Sequence, residues 1–371
     1  MHVNPDCRYY TGYKPCGKQD ECGDCPHCLP WSQHILIIKL AAIGDVLRTT
    51  TLLPGLKKRD PACCITWLTD PSAFDLLKTN PMIDRLYAFT ADGLAAVQAT
   101  EYDLVLNLEK EPRALGVVQT VKAARRKGFA PSRSGTPVAA DADSDYALEL
   151  GLNDELKFRQ NIKTYPQIIY DMADLPYEGQ EYILELGPGS SEFRDAFAAR
   201  HGLGTDTIVI GLNTGCGAVF PTKRWTVDGF ADLIADLGSL PRVRLLLLGG
   251  PLEVVFNRAI LERAGDRVLD TGCDNSIEEF LGIIECCDLI VTADSLAMHL
   301  AIGRRKQVVA FFGPTSHTEV DLFGRGEKVV TGLPCACCYK ATCDVRPSCM
   351  EALPASVVAA AVRRCLENLA K

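Results

Sequence analysis

The apolar positions of this 371-residue chain follow two rhythms. Short stretches such as ILIIKL (35–40), CCITWLT (63–69), RLYAFT (85–90) and YDLVLNLE (102–109) are apolar almost throughout, as strands buried on both faces are. Between them, GDVLRTTTLLPGLKKR (44–59), SAFDLLKT (72–79) and PRALGVVQTVKAARR (112–126) repeat their apolar residues at helical spacing. Such alternation predicts a parallel sheet covered by helices. Residues 144–177 read as helical, and 178–205, with ELGPGSSEF, are rich in Gly, Pro and Ser with little periodicity. The alternation then restarts: TIVIGLNT, TVDGFADLIADLG, VRLLLLGG, EVVFNRAILERAG, SIEEFLGIIECC, LIVTAD, SLAMHLAIG and VVAFFG predict a second parallel sheet. A final stretch, PASVVAAAVRRCLENLA, has Pro in its first turn and helical spacing after it.

The expected organisation is therefore a Cys-rich segment 1–33, an α/β domain 34–180, a second α/β domain 181–353 that includes a Cys-rich segment 335–349, and a closing helix 354–371. The chain is too long for one ordinary core and comfortable for two. Its formal charge of −8 argues against nucleic acid, because phosphate binding needs clustered cations. The one compact basic run, Lys122 to Lys127, reads first as a solvated helix end and second as an anion patch. No apolar run reaches the ~20 residues of a membrane span, and no signal-peptide pattern opens the chain. A cytoplasmic protein is expected, in which most of the 17 cysteines are not disulfides.

Five strand ends carry candidate chemistry. Gly215-Cys216-Gly217 invites comparison with the dinucleotide fingerprint, but Phe220 stands where the third glycine belongs and Pro221 follows. What remains is a glycine turn leading into Thr222-Lys223-Arg224-Trp225, two cations at a sheet edge that suit a diphosphate; a plain surface turn is the alternative. Asp45, after Lys39-Leu-Ala-Ala-Ile-Gly44, is either a helix N-cap or a general base. Asp294, Ser295, Leu296 and Ala297 open a helix whose free N–H groups suit an anion, with simple capping as the alternative; His299 follows on the same helix and reads first as packing. GGPLE, with Glu253, and FFGPTS complete the set, Glu253 being placed to meet a ribose hydroxyl.

The order and spacing of these five resemble glycosyltransferase family nine, the heptosyltransferases, from about residue 35 to the end. The resemblance implies the GT-B architecture, two Rossmann-like domains facing across a cleft, and an inverting, metal-independent transfer from ADP-heptose to a lipopolysaccharide-core or related lipid-linked glycan at the inner face of the membrane. On these positions it implies Asp45 as the base, Lys223 at the leaving diphosphate with Thr222 and Arg224 beside it, Ser295 and its neighbours on the phosphates, and Glu253 at the ribose. Leu296 departs from the small Gly common at that place, so the diphosphate is assigned more firmly than the adenine. A metal-containing binding or assembly protein that keeps the fold without transfer is the alternative.

Two cysteine groups stand apart: Cys7, Cys16, Cys22, Cys25 and Cys28, and Cys335, Cys337, Cys338, Cys343 and Cys349. Thiolates at such spacing predict a structural metal drawn from a subset of the ten, zinc before an iron–sulfur cluster, which would join the two ends of the chain. Cys63, Cys64, Cys286 and Cys287 read as packing.

Overall fold

A computed structural model describes residues 3–14, 16–18, 22 and 24–369. The first half contains β1 (His34–Ile38), α1 (Ile43–Thr49), α2 (Leu52–Arg59), β2 (Cys64–Thr69), α3 (Pro71–Leu77), β3 (Arg85–Ala88), α4 (Ala91–Gln98), β4 (Glu101–Asn107), α5 (Pro112–Thr120), β5 (Lys122–Pro131), β6 (Pro137–Ala139), α6 (Asp145–Glu149) and α7 (Tyr165–Met172). Its sheet runs β3-β2-β1-β4-β5-β6, with only β6 antiparallel. The second half contains α8 (Pro188–His201), β7 (Ile208–Asn213), α9 (Val227–Leu237), β8 (Val243–Leu248), α10 (Val254–Ala264), β9 (Leu269–Asp270), α11 (Ile277–Cys286), β10 (Leu289–Ala293), α12 (Leu296–Gly303), β11 (Gln307–Phe312), β12 (Gly326–Val330) and α13 (Ala355–Leu369). Its sheet runs β12-β11-β10-β7-β8-β9 and is parallel throughout.

This is the expected pair of doubly wound sheets. In each, the strand order reverses beside the first strand, between β1 and β4 and between β7 and β10. Ligands of such sheets bind in the crevice at the carboxyl ends of those strands. Three of the five candidate motifs adjoin these two points: Asp45 follows β1, Lys223 follows β7 and Asp294 follows β10, while Glu253 follows β8, one strand away.

The local reading needs several corrections. The helix expected over 44–59 is two helices, because Pro54 has no N–H to give and its ring excludes the Thr50 carbonyl four residues back. The hydroxyls of Thr50 and Thr51 bond back to Leu47 and Arg48 instead. The basic run is not a helix end: α5 stops at Thr120 and Lys122–Pro131 is strand β5. Nor is it a free anion patch. Lys122 pairs with Glu101, Lys127 with Asp141 and Asp143, and Arg126 donates to the Val118 and Val121 carbonyls at the end of α5. The helical stretch 144–177 is broken into short pieces, and the Gly- and Ser-rich stretch hides the 14-residue α8. Pro188 opens α8 and Gly202, in the left-handed region, closes it, and it packs on α11. Among the described residues no helix is long and apolar enough to cross a membrane.

Candidate active site

After β1 the chain passes through Lys39, which is buried and paired with Glu109 at 2.9 Å. The same carboxylate oxygen accepts the backbone N–H groups of Leu40 and Ala41 at 3.0 Å. Glu109 thus fixes the strand end from which α1 springs. Removing its charge leaves a buried ammonium without a counter-charge, so Glu109→Gln is expected to cost about 3–5 kcal/mol of stability in denaturant titration; a loss under about 1 kcal/mol would mean that water reaches Lys39.

Asp45 sits in the first turn of α1, not at its N-cap; the cap is Ala42, which offers no side chain. Asp45 is therefore not the N-cap residue, although its half-buried carboxylate accepts from the Ala42 N–H at the start of the helix. Its partner is Arg48, one turn on, at 2.9 Å, and that guanidinium also lies over the Tyr165 ring, 3.7 Å from its centre. Burial alone would raise the Asp45 carboxyl, but Arg48 and Lys39 outweigh it and hold it below the usual carboxylate range. If Asp45 is the base, it is ionised at every pH at which the enzyme is handled. The acid limb of kcat/KM should then lie below about pH 4; a limb centred near 6 would place the base elsewhere.

In the second half, Lys223 ends a short 3-10 turn opened by Pro221, and its Nζ donates to the Asp294 backbone carbonyl at 2.5 Å, with the Asp294 carboxylate 4.0 Å away. Ser295 is the N-cap of α12, yet its hydroxyl does not cap: it meets Thr292 Oγ1 at 2.8 Å and accepts from Asn213 Nδ2 at 3.1 Å. The capping alternative fails here, and the first-turn N–H groups of α12 keep no side-chain partner. Buried Glu253 pairs with Arg224 at 2.7 Å, so its carboxylate is committed to a cation as well as placed at the sheet edge. Thr222 turns away, donating to the Lys340 carbonyl at 2.7 Å. Ala297 is buried in the core and half-buried Leu296 packs against the same cluster, so the bulk at 296 is turned into the helix packing.

The halves meet through α1 and α12. Gly44 lies flat on the His299 ring, and a Cβ there would come within 2.4 Å of ring carbon Cδ2, so only glycine permits the approach. His299 Nδ1 is 3.3 Å from the Tyr182 hydroxyl and Nε2 is 3.9 Å from the Asp294 carboxylate. Burial, with Arg48 nearby, pushes the imidazole down to about 4, so it stays neutral at ordinary pH. His299 is thus packed, as its helix position suggested, and also stands between Asp45 and Asp294.

Sequence reasoning missed Arg48, Tyr165 and Tyr182. Arg48 was findable at helical spacing from Asp45; the tyrosines come from α7 and the connection between the halves, and nothing in the local pattern points to them.

The cysteines divide by half. Cys7 sits beside Cys28, and the Asn4 N–H donates to the Cys22 thiol, while the segment that follows packs on the first sheet through Ser32 and Ala62. Cys349 lies against Gly313, and Cys335, Cys338 and Cys343 line a cavity with it beside Thr222 and Arg224. Each set stays with its own half, which corrects the expectation that they join the ends of the chain. Among the described residues no three His, Cys, Asp or Glu side chains converge as a single ion requires, so a structural zinc finds no support. Cys63, Cys64 and Cys287 are buried and Cys286 is half-buried.

Two doubly wound α/β domains meeting at their strand ends make the GT-B architecture. Residues 94–348 match the model of glycosyltransferase family 9 (heptosyltransferase), and the chain belongs to that family. It is 25% identical over 303 residues to lipooligosaccharide heptosyltransferase 2 of Haemophilus influenzae, covering 76% of this chain and 84% of that one. Among solved structures it is similar to the family 9 glycosyl transferase of Veillonella parvula, with a TM-score of 0.73 at 19% identity over 91% of this chain and 98% of that one. The E. coli ADP-heptose lps heptosyltransferase II gives a TM-score of 0.67 at 18% identity, covering 91% and 100%.

Proposed function

We propose that this glycosyltransferase moves a heptose from ADP-heptose to a lipopolysaccharide-core or related lipid-linked glycan, with inversion. The observation that supports the reading is the short series of contacts that links the two halves here: Gly44, next to Asp45, lies on His299, His299 Nε2 is 3.9 Å from the Asp294 carboxylate, and Lys223 donates to the Asp294 carbonyl. The acceptor hydroxyl gives its proton to Asp45 as its oxygen bonds to the anomeric carbon, and the bond from that carbon to the diphosphate oxygen breaks on the opposite face. One displacement inverts the centre. Charge developing on ADP is met by Lys223, with Arg224 near, and by the N–H groups that open α12. These groups grip more strongly as the charge forms, which is the condition for raising turnover. They supply what a divalent ion would otherwise contribute.

The acceptor is assigned to residues 34–180 and the donor to residues 181–353. A cavity of 170 Å³ is lined by Arg48, the partner of Asp45, with Lys110, Lys157, Tyr165 and Glu319; its three cations outnumber the one carboxylate, which supports an anionic sugar of a core glycan. The family relatives named for lipooligosaccharide and ADP-heptose support the donor and acceptor classes. A lipid-linked acceptor places the enzyme peripherally, at the cytoplasmic face of the inner membrane.

The test is transfer itself. With ADP-heptose and a core glycan lacking heptose, one heptose should be added, and the anomeric coupling in the proton NMR spectrum should report inversion. Transfer from UDP- or GDP-sugars alone would change the donor, and retained configuration would remove the single displacement.

A further inference from the structure

The segment between β12 and α13 is long for a connection and has no helix or strand of its own, yet it is held closely. Cys337 N–H donates to the Gly313 carbonyl, Tyr339 N–H to Pro314, and Ser316 N–H to the Tyr339 hydroxyl. These bonds separate the five cysteines of the segment into two kinds. Cys337 is buried, and its thiol donates to the Thr315 carbonyl at 3.5 Å. The other four, Cys335, Cys338, Cys343 and Cys349, all line one cavity of 480 Å³, with Arg224 and Arg346 also on its wall. Their spacing is C-x2-C-x4-C-x5-C.

Four free thiols around one cavity are a thiolate ligand set, and the geometry discriminates among occupants. A zinc ion would draw its sulfurs to within about 3.8 Å of one another, given Zn–S bonds of about 2.3 Å. Among the described residues no three such groups converge in this way. An iron–sulfur cluster spreads its ligand sulfurs over its own width and needs a volume, not a point. Any occupant held by four thiolates leaves the site negative, and Arg346 on the wall supports that charge, while Arg224 beside it is paired with Glu253. We propose that Cys335, Cys338, Cys343 and Cys349 ligate an iron–sulfur cluster, and that Cys337 packs the loop without binding it. Each thiol gives up its proton as it takes iron.

The cluster is structural and sits behind the donor side of the crevice. Thr222 donates its hydroxyl to the Lys340 carbonyl between Cys338 and Cys343, and Trp225 Nε1 donates to the Leu353 carbonyl after Cys349. The loop bearing Lys223 is thereby braced at both sides by the cluster segment. This consequence, and only this one, rests on the donor reading of that loop.

The full-length protein, purified without oxygen, is expected to contain about four iron and four acid-labile sulfide per chain and to absorb broadly near about 400 nm, bleached by dithionite. In the same preparation, native alkylation followed by peptide mapping should spare the four ligating cysteines and label them after the cluster is destroyed by chelator and oxidant. This readout needs no variant. Cys338→Ser with Cys343→Ser should lose that iron and sulfide, whereas Cys337→Ser, and Cys22→Ser with Cys25→Ser, should keep it. The proposal is overturned by no iron and sulfide both as purified and after incubation with ferrous iron and sulfide. It is equally overturned by stoichiometric zinc, by iron lost only with Cys22 and Cys25, or by full native alkylation of the four. Metal content is read without any transfer assay, so a wrong donor sugar leaves this test intact.

Discussion

Replacing Asp45 with Asn should lower kcat by about 100-fold or more while leaving affinity for ADP within about twofold. The asymmetry follows from position. Asp45 belongs to α1 of the first half, and the residues assigned to the diphosphate belong to the loop after β7 and to the start of α12. Asn preserves the size of the side chain and a contact to Arg48, so the helix turn survives while the proton acceptor is lost. Nearby carboxylates do not replace it. Glu109 is held by Lys39 and two backbone N–H groups, and Glu253 by Arg224. On the donor half the competitor is Asp294, whose carboxylate lies 3.9 Å from His299 Nε2 and 4.0 Å from Lys223 Nζ. Asp294→Asn is therefore the comparison. Full turnover in Asp45→Asn together with collapse in Asp294→Asn would transfer the role of base to the donor half.

The two sheets were legible because both are buried on each face and so announce their strands as apolar runs, and the motif residues sit at strand ends, which such runs locate. The helices were legible where one face met a sheet, as in α9 and α13, and not where tertiary packing overrode composition. Helix α8 is the clear case: PGSSEF reads as a linker, but Phe193 and Phe197 pack the helix on its neighbours and Pro188 and Gly202 bound it. Strand β5 failed for the opposite reason, since Lys122, Arg125 and Arg126 hide a strand whose outward positions are occupied by cations. In the site, the acid and the cations could be read because each lies on one short motif. The Tyr165–Arg48 and Tyr182–His299 contacts could not, because they join residues more than a hundred positions apart through packing alone.

Lys223→Ala should abolish most of the thermal stabilisation that ADP confers. A charged hydrogen bond to a phosphate is worth about 1.5–3 kcal/mol, or roughly 10- to 150-fold in affinity. Ligand stabilisation follows RT ln(1 + [L]/Kd), so at an ADP concentration about 100 times the wild-type Kd the gain of about 2.7 kcal/mol shrinks to about 0.4 if affinity falls 100-fold. The substitution should not itself unfold the loop, because the Lys223 ammonium bonds a half-buried carbonyl that water can satisfy, while Trp225 and Thr222 keep their own bonds to Leu353 and Lys340. Running UDP, GDP and NAD beside ADP separates the diphosphate from the base. If all three nucleoside diphosphates stabilise the wild type equally and all lose their effect in the variant, Lys223 reads the diphosphate and the base is chosen elsewhere. Selective stabilisation by ADP, lost in the variant, assigns both to this crevice. Stabilisation by ADP that persists undiminished in Lys223→Ala would remove Lys223 from the leaving group and leave the N–H groups of α12 to carry it alone.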